Sequence, residues 1–521
     1  MPGFLRDHGP LVLILFLTFL MRQLLSGQSY WYDELLSVYH YGNKHDTVWS
    51  AIQALAENSI HPPLYQLILY GWMAAFGDGE TTTRNLSNWY VTGATVCLYA
   101  VVLRTHGKRL AIAVALFFSL MYIPFLYAME TRSYAQTLFL ASLSSLLMFR
   151  YMRSLVESGE HTLIANRWLV ALSAANLALL LTHYYNIFFL AGQGLFLAIW
   201  FLFRYRASPG SILKLAGFGL TPIVLTAIVW GPVMAQSYRS YRGDEAYAIE
   251  AAPTHSPWAM LLDLVIEQNF KFPLPVLLAF GALVLLAVAL SIRRIWRLGY
   301  RSRDVANLYF VAWLVLPIVF AYIAFWIFEH ERYRPRYFAL CAPPLAVMLG
   351  LAANLVVGRL ARWRPSVGRA LVASPLLVAL LVAAIFVMPG TKRAAAFKKT
   401  DYRGIAQTID ALVQRNPDNR YIIYEVSPKL SLDYYLSRIR SPATVRDHTS
   451  RKQEADGRFE LENQKDEIGG YDYVVLAFTH DTAPAFPKLI GYLTKNYRLE
   501  HNLLSKAGRG IMIFRVKSSP N

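Results

Sequence analysis

Long apolar runs broken by short polar segments fill the first three-quarters of the chain. They fall at about residues 10–26, 84–103, 110–126, 132–150, 167–183, 184–203, 214–232, 272–291, 305–327, 336–357 and 370–388. Each comes near the roughly 20 residues that an α-helix needs to cross a bilayer. The pattern therefore predicts a polytopic α-helical membrane protein of about eleven spans. Residues 27–83, between the first and second runs, are semi-apolar and rich in Trp and Tyr, which suits short amphipathic helices lying along the interface. After Pro389-Gly390 the pattern changes. A helical stretch at about 401–415 and a helix-like segment Leu430 to Arg438 alternate with strand-like runs at Tyr421-Ile422-Ile423-Tyr424, Tyr473-Val474-Val475-Leu476 and Ile511-Met512-Ile513-Phe514. That alternation predicts a small soluble α/β domain. The expected division is a membrane domain over 1–390 and an α/β domain over 391–521.

Composition agrees with the runs: of 521 residues, 55% are hydrophobic and 16% charged, too much apolar surface for one soluble core. The formal charge of +18 would suit a nucleic-acid binder. Its excess lies instead in alternate short connections, around Arg104, Lys108 and Arg109, Arg150 and Arg153, Arg204 and Arg206, Arg293 to Arg303, and Arg359 to Arg369. By the positive-inside rule these connections face the cytoplasm, which sets topology and excludes nucleic acid. The amino terminus is then inside and everything after Pro389 outside. Such a chain suits a bacterial inner membrane with a periplasmic carboxy-terminal domain; an endoplasmic reticulum membrane with a lumenal face obeys the same physics. Leu25-Ser26-Gly27-Gln28 makes a poor signal-peptidase site, so the first helix is expected to remain. Cys97 and Cys341 each sit inside an apolar run and supply neither a disulfide framework nor a cysteine metal site.

The outward connections collect the polar groups of interest. They hold Asp33 and Glu34 in Trp31-Tyr32-Asp33-Glu34-Leu35, His61 in His61-Pro62-Pro63-Leu64-Tyr65, and Arg84 at the start of the second span. They also hold Glu130-Thr131-Arg132-Ser133-Tyr134, Thr182-His183-Tyr184-Tyr185, Asp244 and Glu245, and the segment from Glu329 through Arg332 and Arg334 to Arg336-Tyr337. Plainer readings exist for each. The acids could be solvated, His61 could end a turn before two prolines, His183 could anchor an interface, and Glu130, Glu329 and Glu331 could neutralise the arginines. Arginine on an outer face nevertheless runs against the positive-inside rule, and guanidinium is a preferred partner of phosphate. A sugar on a lipid phosphate already carries a good leaving group once cations stabilise its developing charge. One positioned carboxylate then suffices as general base for the attacking hydroxyl.

The joint order of these motifs resembles the polytopic C-type (GT-C) glycosyltransferases over about residues 10–390, especially bacterial relatives of protein O-mannosyltransferases and of the aminoarabinose and galacturonic acid transferases of lipid A. The resemblance implies transfer of a single sugar from a polyprenyl-phosphate donor to a lipid, glycan or protein hydroxyl on the periplasmic side, usually with inversion. It makes Asp33 the base and Glu34 its helper or a metal contact. Arg132 and Arg336, with Arg332 and Arg84, become the phosphate-facing cations, and His61, Tyr65, Glu130, Tyr134, His183, Tyr184 and Tyr337 line the pocket. No cofactor is called for with certainty. A divalent ion would take carboxylate and water ligands, so a metal at Asp33 and Glu34 stays open. Two alternatives remain: a transporter or flippase of lipid-linked glycans, which would place charges at the membrane midplane, and an oligosaccharide transferase or ligase using a diphosphate-linked donor.

Overall fold

The computed structural model describes residues 2–58, 61–158, 166–205, 209–242, 274–298, 302–328, 335–363, 380, 383–397, 399–425, 430–442, 445–447, 468, 470–478, 487–504 and 510–516. The chain forms two compact units: 1–26 with 45–397, and 27–44 with 398–521.

The first unit is helical. Its elements are α1 (Pro2–Leu25), α3 (Val48–Asn58), α4 (Leu64–Phe76), α5 (Glu80–His106), α6 (Lys108–Leu120), α7 (Tyr122–Tyr127), α8 (Tyr134–Ser158), α9 (Arg167–Leu180), α10 (Asn186–Tyr205), α11 (Pro209–Arg242), α12 (Leu274–Leu298), α13 (Ser302–Phe328), α14 (Ala342–Trp363) and α15 (Met388–Ala395); α2 (Tyr32–Leu35) belongs to the second unit. Among the described residues, six helical segments are long and apolar enough to cross a membrane: His8–Leu25, Glu80–His106, Asn186–Arg204, Leu213–Gln236, Arg303–Ala324 and Arg336–Val357. The apolar run expected at 110–126 is broken, because Met121 leaves helical geometry with ψ near 150° and separates α6 from α7. The run at 370–388 lies largely outside the described residues. Between residues 45 and 79 the chain forms α3 and α4, short helices of the kind expected there.

The helices pack through small residues and buried polar bonds, as expected where burial against lipid adds no hydrophobic driving force. A Cβ on Gly93 would sit 2.9 Å from the Phe139 ring, so only glycine lets α5 approach α8 this closely. Gly107, at φ 92° and ψ 172°, adopts a backbone that side chains strain to reach and reverses the chain between α5 and α6. In the bundle interior Ser144, Asn176, Gln193 and Tyr309 form one network. Ser144 Oγ bonds Asn176 Oδ1 at 2.6 Å, Asn176 Nδ2 donates to Gln193 Oε1 at 3.1 Å and Gln193 Nε2 donates to Tyr309 OH at 3.3 Å. These bonds tie α8, α9, α10 and α13 together.

The second unit holds, among the described residues, a five-stranded mixed sheet in the order β2-β1-β3-β5-β4. The strands are β1 (Tyr421–Glu425), β2 (Val445–Asp447), β3 (Tyr473–Phe478), β4 (Tyr497–Asn502) and β5 (Gly510–Val516). β1 runs parallel to β2 and β3, while β5 is antiparallel to β3 and β4. The continuous apolar run of β1 reflects its central place, with Ile422 and Ile423 buried. The helix α16 (Tyr402–Arg415) buries Ile405, Ile409 and Val413, a spacing of four that makes one apolar stripe. Asp401 caps it by accepting the Gly404 N–H at 3.1 Å. Residues 27–44, which the sequence pattern groups with the membrane domain, pack here instead. Tyr30 N–H donates to Tyr435 OH at 2.7 Å, Ser29 Oγ to Asp401 Oδ1 at 2.8 Å, and Arg403 Nη2 to the Gly27 carbonyl at 2.9 Å.

Candidate active site

The membrane unit assembles its polar cluster from four connections. The Leu64 N–H donates to the Leu181 carbonyl at 2.9 Å, which joins the His61-Pro62-Pro63 turn to the loop after α9. That bond brings two imidazoles together: the His61 and His183 ring centroids lie 5.6 Å apart. The loop before α8 is fixed by the first turns of α5. Thr83 Oγ1 bonds Thr131 Oγ1 at 2.9 Å, and Ser87 Oγ donates to the Glu130 carbonyl at 2.6 Å. Arg132 follows on that pinned loop, and its Nη2 donates to His61 Nε2 at 3.2 Å. The fourth connection is the 3-10 segment Pro335–Cys341, whose Tyr337 ring stands 5.2 Å from His183 and 4.5 Å from Tyr185. Arg336 lies over the Tyr337 ring at 5.9 Å. Tyr134 stands 6.0 Å from His183 and 4.8 Å from Tyr127.

The protonation states follow from these neighbours. A guanidinium can only donate, so His61 Nε2 must accept, and the ring is neutral. Burial, then Arg132, His183 and Arg336, hold the His61 pKa well below its ordinary value. His183 Nδ1 accepts the Tyr185 N–H at 3.3 Å, which places a neutral ring's proton on Nε2. Burial, Arg132 and Arg336 push the His183 pKa down to about 3. Its Nε2 is buried and meets no hydrogen-bond partner among the described residues. Burial foremost, with Glu130 and Tyr134, raises the Tyr127 pKa well above its ordinary value and keeps that phenol protonated. The pocket thus offers two guanidinium groups and an imidazole N–H donor, a set that suits an anion.

Acid should weaken this unit. As pH falls below the ordinary histidine value of 6.5, the unfolded chain binds a proton at His183 that the folded unit refuses until about pH 3. Stability is therefore lost as pH drops across that window, at about 1.4 kcal/mol per pH unit for one such group. Thermal unfolding between pH 7 and pH 4 is expected to show a falling Tm, with a shallower fall in His183→Gln. Equal slopes in the two proteins would contradict the buried neutral imidazole.

Other expected site residues hold different places. Arg84 is buried and its Nη1 donates to the Ser26 carbonyl at 2.6 Å, tying α5 to the end of α1. The Tyr184 hydroxyl accepts the Trp230 indole N–H at 3.0 Å and so bonds to α11. Tyr65 and Glu130 are buried near the start of α4 and before α8. Arg332 lies outside the described residues, as do Glu329, Glu331, Arg334, Asp244 and Glu245.

The acidic pair belongs to the second unit, where its members differ. Asp33, on α2, is half-buried. Glu34 is fully buried; its Oε2 accepts the Lys399 ammonium at 2.8 Å and the Trp31 N–H at 3.3 Å. Its carboxylate fastens the start of α2 to the segment after α15. Among the described residues no group of three or more His, Cys, Asp and Glu side chains could hold a metal ion. The sequence pattern did not single out Lys399. The one available signal was the basic pair Lys398-Lys399 at the opening of the soluble region.

No family model matches the chain, and no curated protein does. Solved structures do. ArnT from Cupriavidus metallidurans, a lipid A aminoarabinose transferase, superposes in its apo state with a TM-score of 0.54 at 15% identity, covering 96% of this chain and 97% of its own. Bound to undecaprenyl phosphate it gives 0.55 at 15% identity, over 97% and 98%. The fold is that of the GT-C glycosyltransferases. The oligosaccharyltransferase of Archaeoglobus fulgidus, tethered to an acceptor peptide, shares the GT-C fold at a TM-score of 0.50 and 14% identity, over 99% of this chain and 75% of its own. The likeness to ArnT runs nearly end to end.

Proposed function

We propose that this protein is an integral-membrane glycosyltransferase that moves a single sugar from a polyprenyl-phosphate donor to an acceptor hydroxyl on the periplasmic face. The observation that carries this reading is the buried cationic pocket, with Arg132, Arg336 and the N–H of neutral His183 converging among tyrosines. The GT-C fold, and the undecaprenyl phosphate carried by ArnT, support a lipid-phosphate ligand there.

In the proposed reaction the acceptor oxygen attacks the anomeric carbon, the bond from that carbon to the phosphate oxygen breaks, and Asp33 takes the hydroxyl proton. The sugar inverts, and polyprenyl phosphate leaves with one additional negative charge. Arg132 and Arg336 stabilise that charge as it develops, which lowers the barrier more than ground-state binding does. Neutral His183 donates a hydrogen bond without competing for the proton. Tyrosine faces around the pocket provide platforms on which a sugar ring or prenyl chain can rest. The carboxy-terminal unit, with its helices and mixed sheet, is the proposed periplasmic domain, and the basic connections mark the cytoplasmic side.

Purified protein given a polyprenyl-phosphate sugar and a hydroxyl acceptor should yield a product heavier by one sugar, detected by mass spectrometry, with polyprenyl phosphate released in equal amount. Transfer of a block of sugars, or release of a diphosphate, would replace this reading with an oligosaccharide transferase. Movement of intact donor across vesicles without any product would replace it with a flippase.

A further inference from the structure

Three helices that contribute to the His61–Arg132 pocket at one end converge at the other on a second cavity, of about 400 Å³. Arg104 follows Thr83, whose hydroxyl bonds the loop that carries Arg132, by twenty-one residues on α5. At 1.5 Å per residue this separates them by about 30 Å, the thickness of a bilayer's hydrocarbon core. The cavity therefore sits at the opposite end of the membrane unit from the His61–Arg132 cluster.

Four guanidinium groups line this second cavity: Arg104 from α5, Arg150 and Arg153 from α8, and Arg204 from α10. One carboxylate, Glu157, shares it and pairs with Arg153 at 2.7 Å. Arg104 Nη1 donates to the Ala100 carbonyl at 2.9 Å, and Arg150 lies over the Trp168 ring at 5.1 Å. The Arg104 bond engages one of the five N–H donors that a guanidinium carries. Basic loops alone would satisfy the positive-inside rule; bringing four cations from three helices onto one cavity carries a repulsive cost that an anion removes.

The remaining wall is apolar. Phe149 and the buried Trp200 line the interior, while Val156, at the rim, is exposed. On α10, beside Arg204, the outward side chains Leu202 and Phe203 are also exposed, as a lipid-facing surface requires. Exposed cations around an apolar cavity select an amphiphile over a free ion. The volume lies within the range of about 300–1,000 Å³ that small-molecule sites occupy.

We propose that this cavity binds the phosphodiester headgroup of an anionic phospholipid from the leaflet at that end of the bundle, with the acyl chains leaving past Val156. The site is separate from the proposed glycosyl-transfer pocket, and its test does not depend on activity.

Full-length protein in detergent would be offered equal amounts of phosphatidylglycerol and phosphatidylcholine, and bound lipid counted by native mass spectrometry. Phosphatidylglycerol should be retained preferentially. Arg104→Gln and Arg153→Gln should each reduce its retention about fivefold relative to phosphatidylcholine, the effect expected for one basic residue near an anionic lipid. Arg109→Gln, a cation of the same connection that does not line the cavity, should leave it unchanged. Arg153 is exposed, so its replacement spares the fold even where Arg104→Gln does not. Equal retention of the two lipids, loss of the same size in Arg109→Gln, or full displacement by millimolar inorganic phosphate would each overturn the proposal. The last would mark a site for free phosphate. Preferential capture of undecaprenyl phosphate over phosphatidylglycerol that persists in Arg132→Gln but is lost in Arg104→Gln would overturn the assignment of the occupant.

Discussion

Asp33→Asn should remove turnover and leave the protein folded. The substitution keeps the size and planarity of the side chain but abolishes its capacity to take a proton. A general base of this kind contributes about 10²–10⁴ in rate, and the loss should appear in kcat while donor binding persists. Because Asp33 is half-buried on the short helix α2, an amide can stand there without breaking the packing around Tyr30 and Leu35. Steady-state kinetics with a lipid-phosphate sugar, alongside Tm and lipid retention, would measure it. Full turnover in Asp33→Asn would take Asp33 out of the mechanism.

Its neighbour supplies the contrast that makes this result interpretable. Glu34→Gln leaves the Lys399 ammonium without its carboxylate in a fully buried place. Removing one partner of such a pair costs about 3–5 kcal/mol, so this variant should lose Tm in the unit formed by 27–44 and 398–521. Two adjacent acids thus divide into a proposed chemical role and a structural one. Local sequence does not reveal that division, because the partner that distinguishes Glu34 lies 365 residues away.

What the sequence makes legible follows from the range of the interactions involved. A bilayer acts on every residue of a span, so apolar runs such as 84–103, 184–203 and 305–327 stand out and reappear within α5, α10 and α13. Backbone turns are more local than such runs. Nothing in the hydropathy of 110–126 announces that Met121 will leave the helix, and one run becomes α6 and α7. The polar cluster is legible as a set of residue types in connections that the positive-inside rule would turn outward, where arginine is disfavoured. Its pairing is not. Arg132 meets His61 across 71 residues because separate backbone and hydroxyl bonds fix the two loops that carry them. Arg84, similar to Arg132 in charge and exposure to the same reading, is drawn instead to the end of α1 by the Ser26 carbonyl.

Arg132→Gln should be the most damaging change within the membrane unit's pocket. In the proposed reaction, leaving-group departure converts a phosphodiester with one negative charge into a phosphate monoester with up to two. A fixed cation is then worth more in the transition state than in the bound donor. Removing one oriented donor of developing charge costs about 10²–10³ in kcat, and loss of the ionic contact with the ground-state phosphate should raise KM as well. Arg132→Lys should recover only part, because a point ammonium keeps the charge but not the planar pair of donors. The neighbouring imidazole gives an independent readout. Arg132 is among the groups that hold the His61 and His183 pKa values down, so Arg132→Gln should let both rise. Acid inactivation would then begin at a higher pH, and the Tm would fall less steeply with acid because the folded unit accepts protons sooner. Kinetics and unfolding followed from pH 8 to pH 4 would separate the cases. A variant that lost stability alone, with kcat, KM and pH profile unchanged, would make Arg132 a packing residue and leave the phosphate to Arg336.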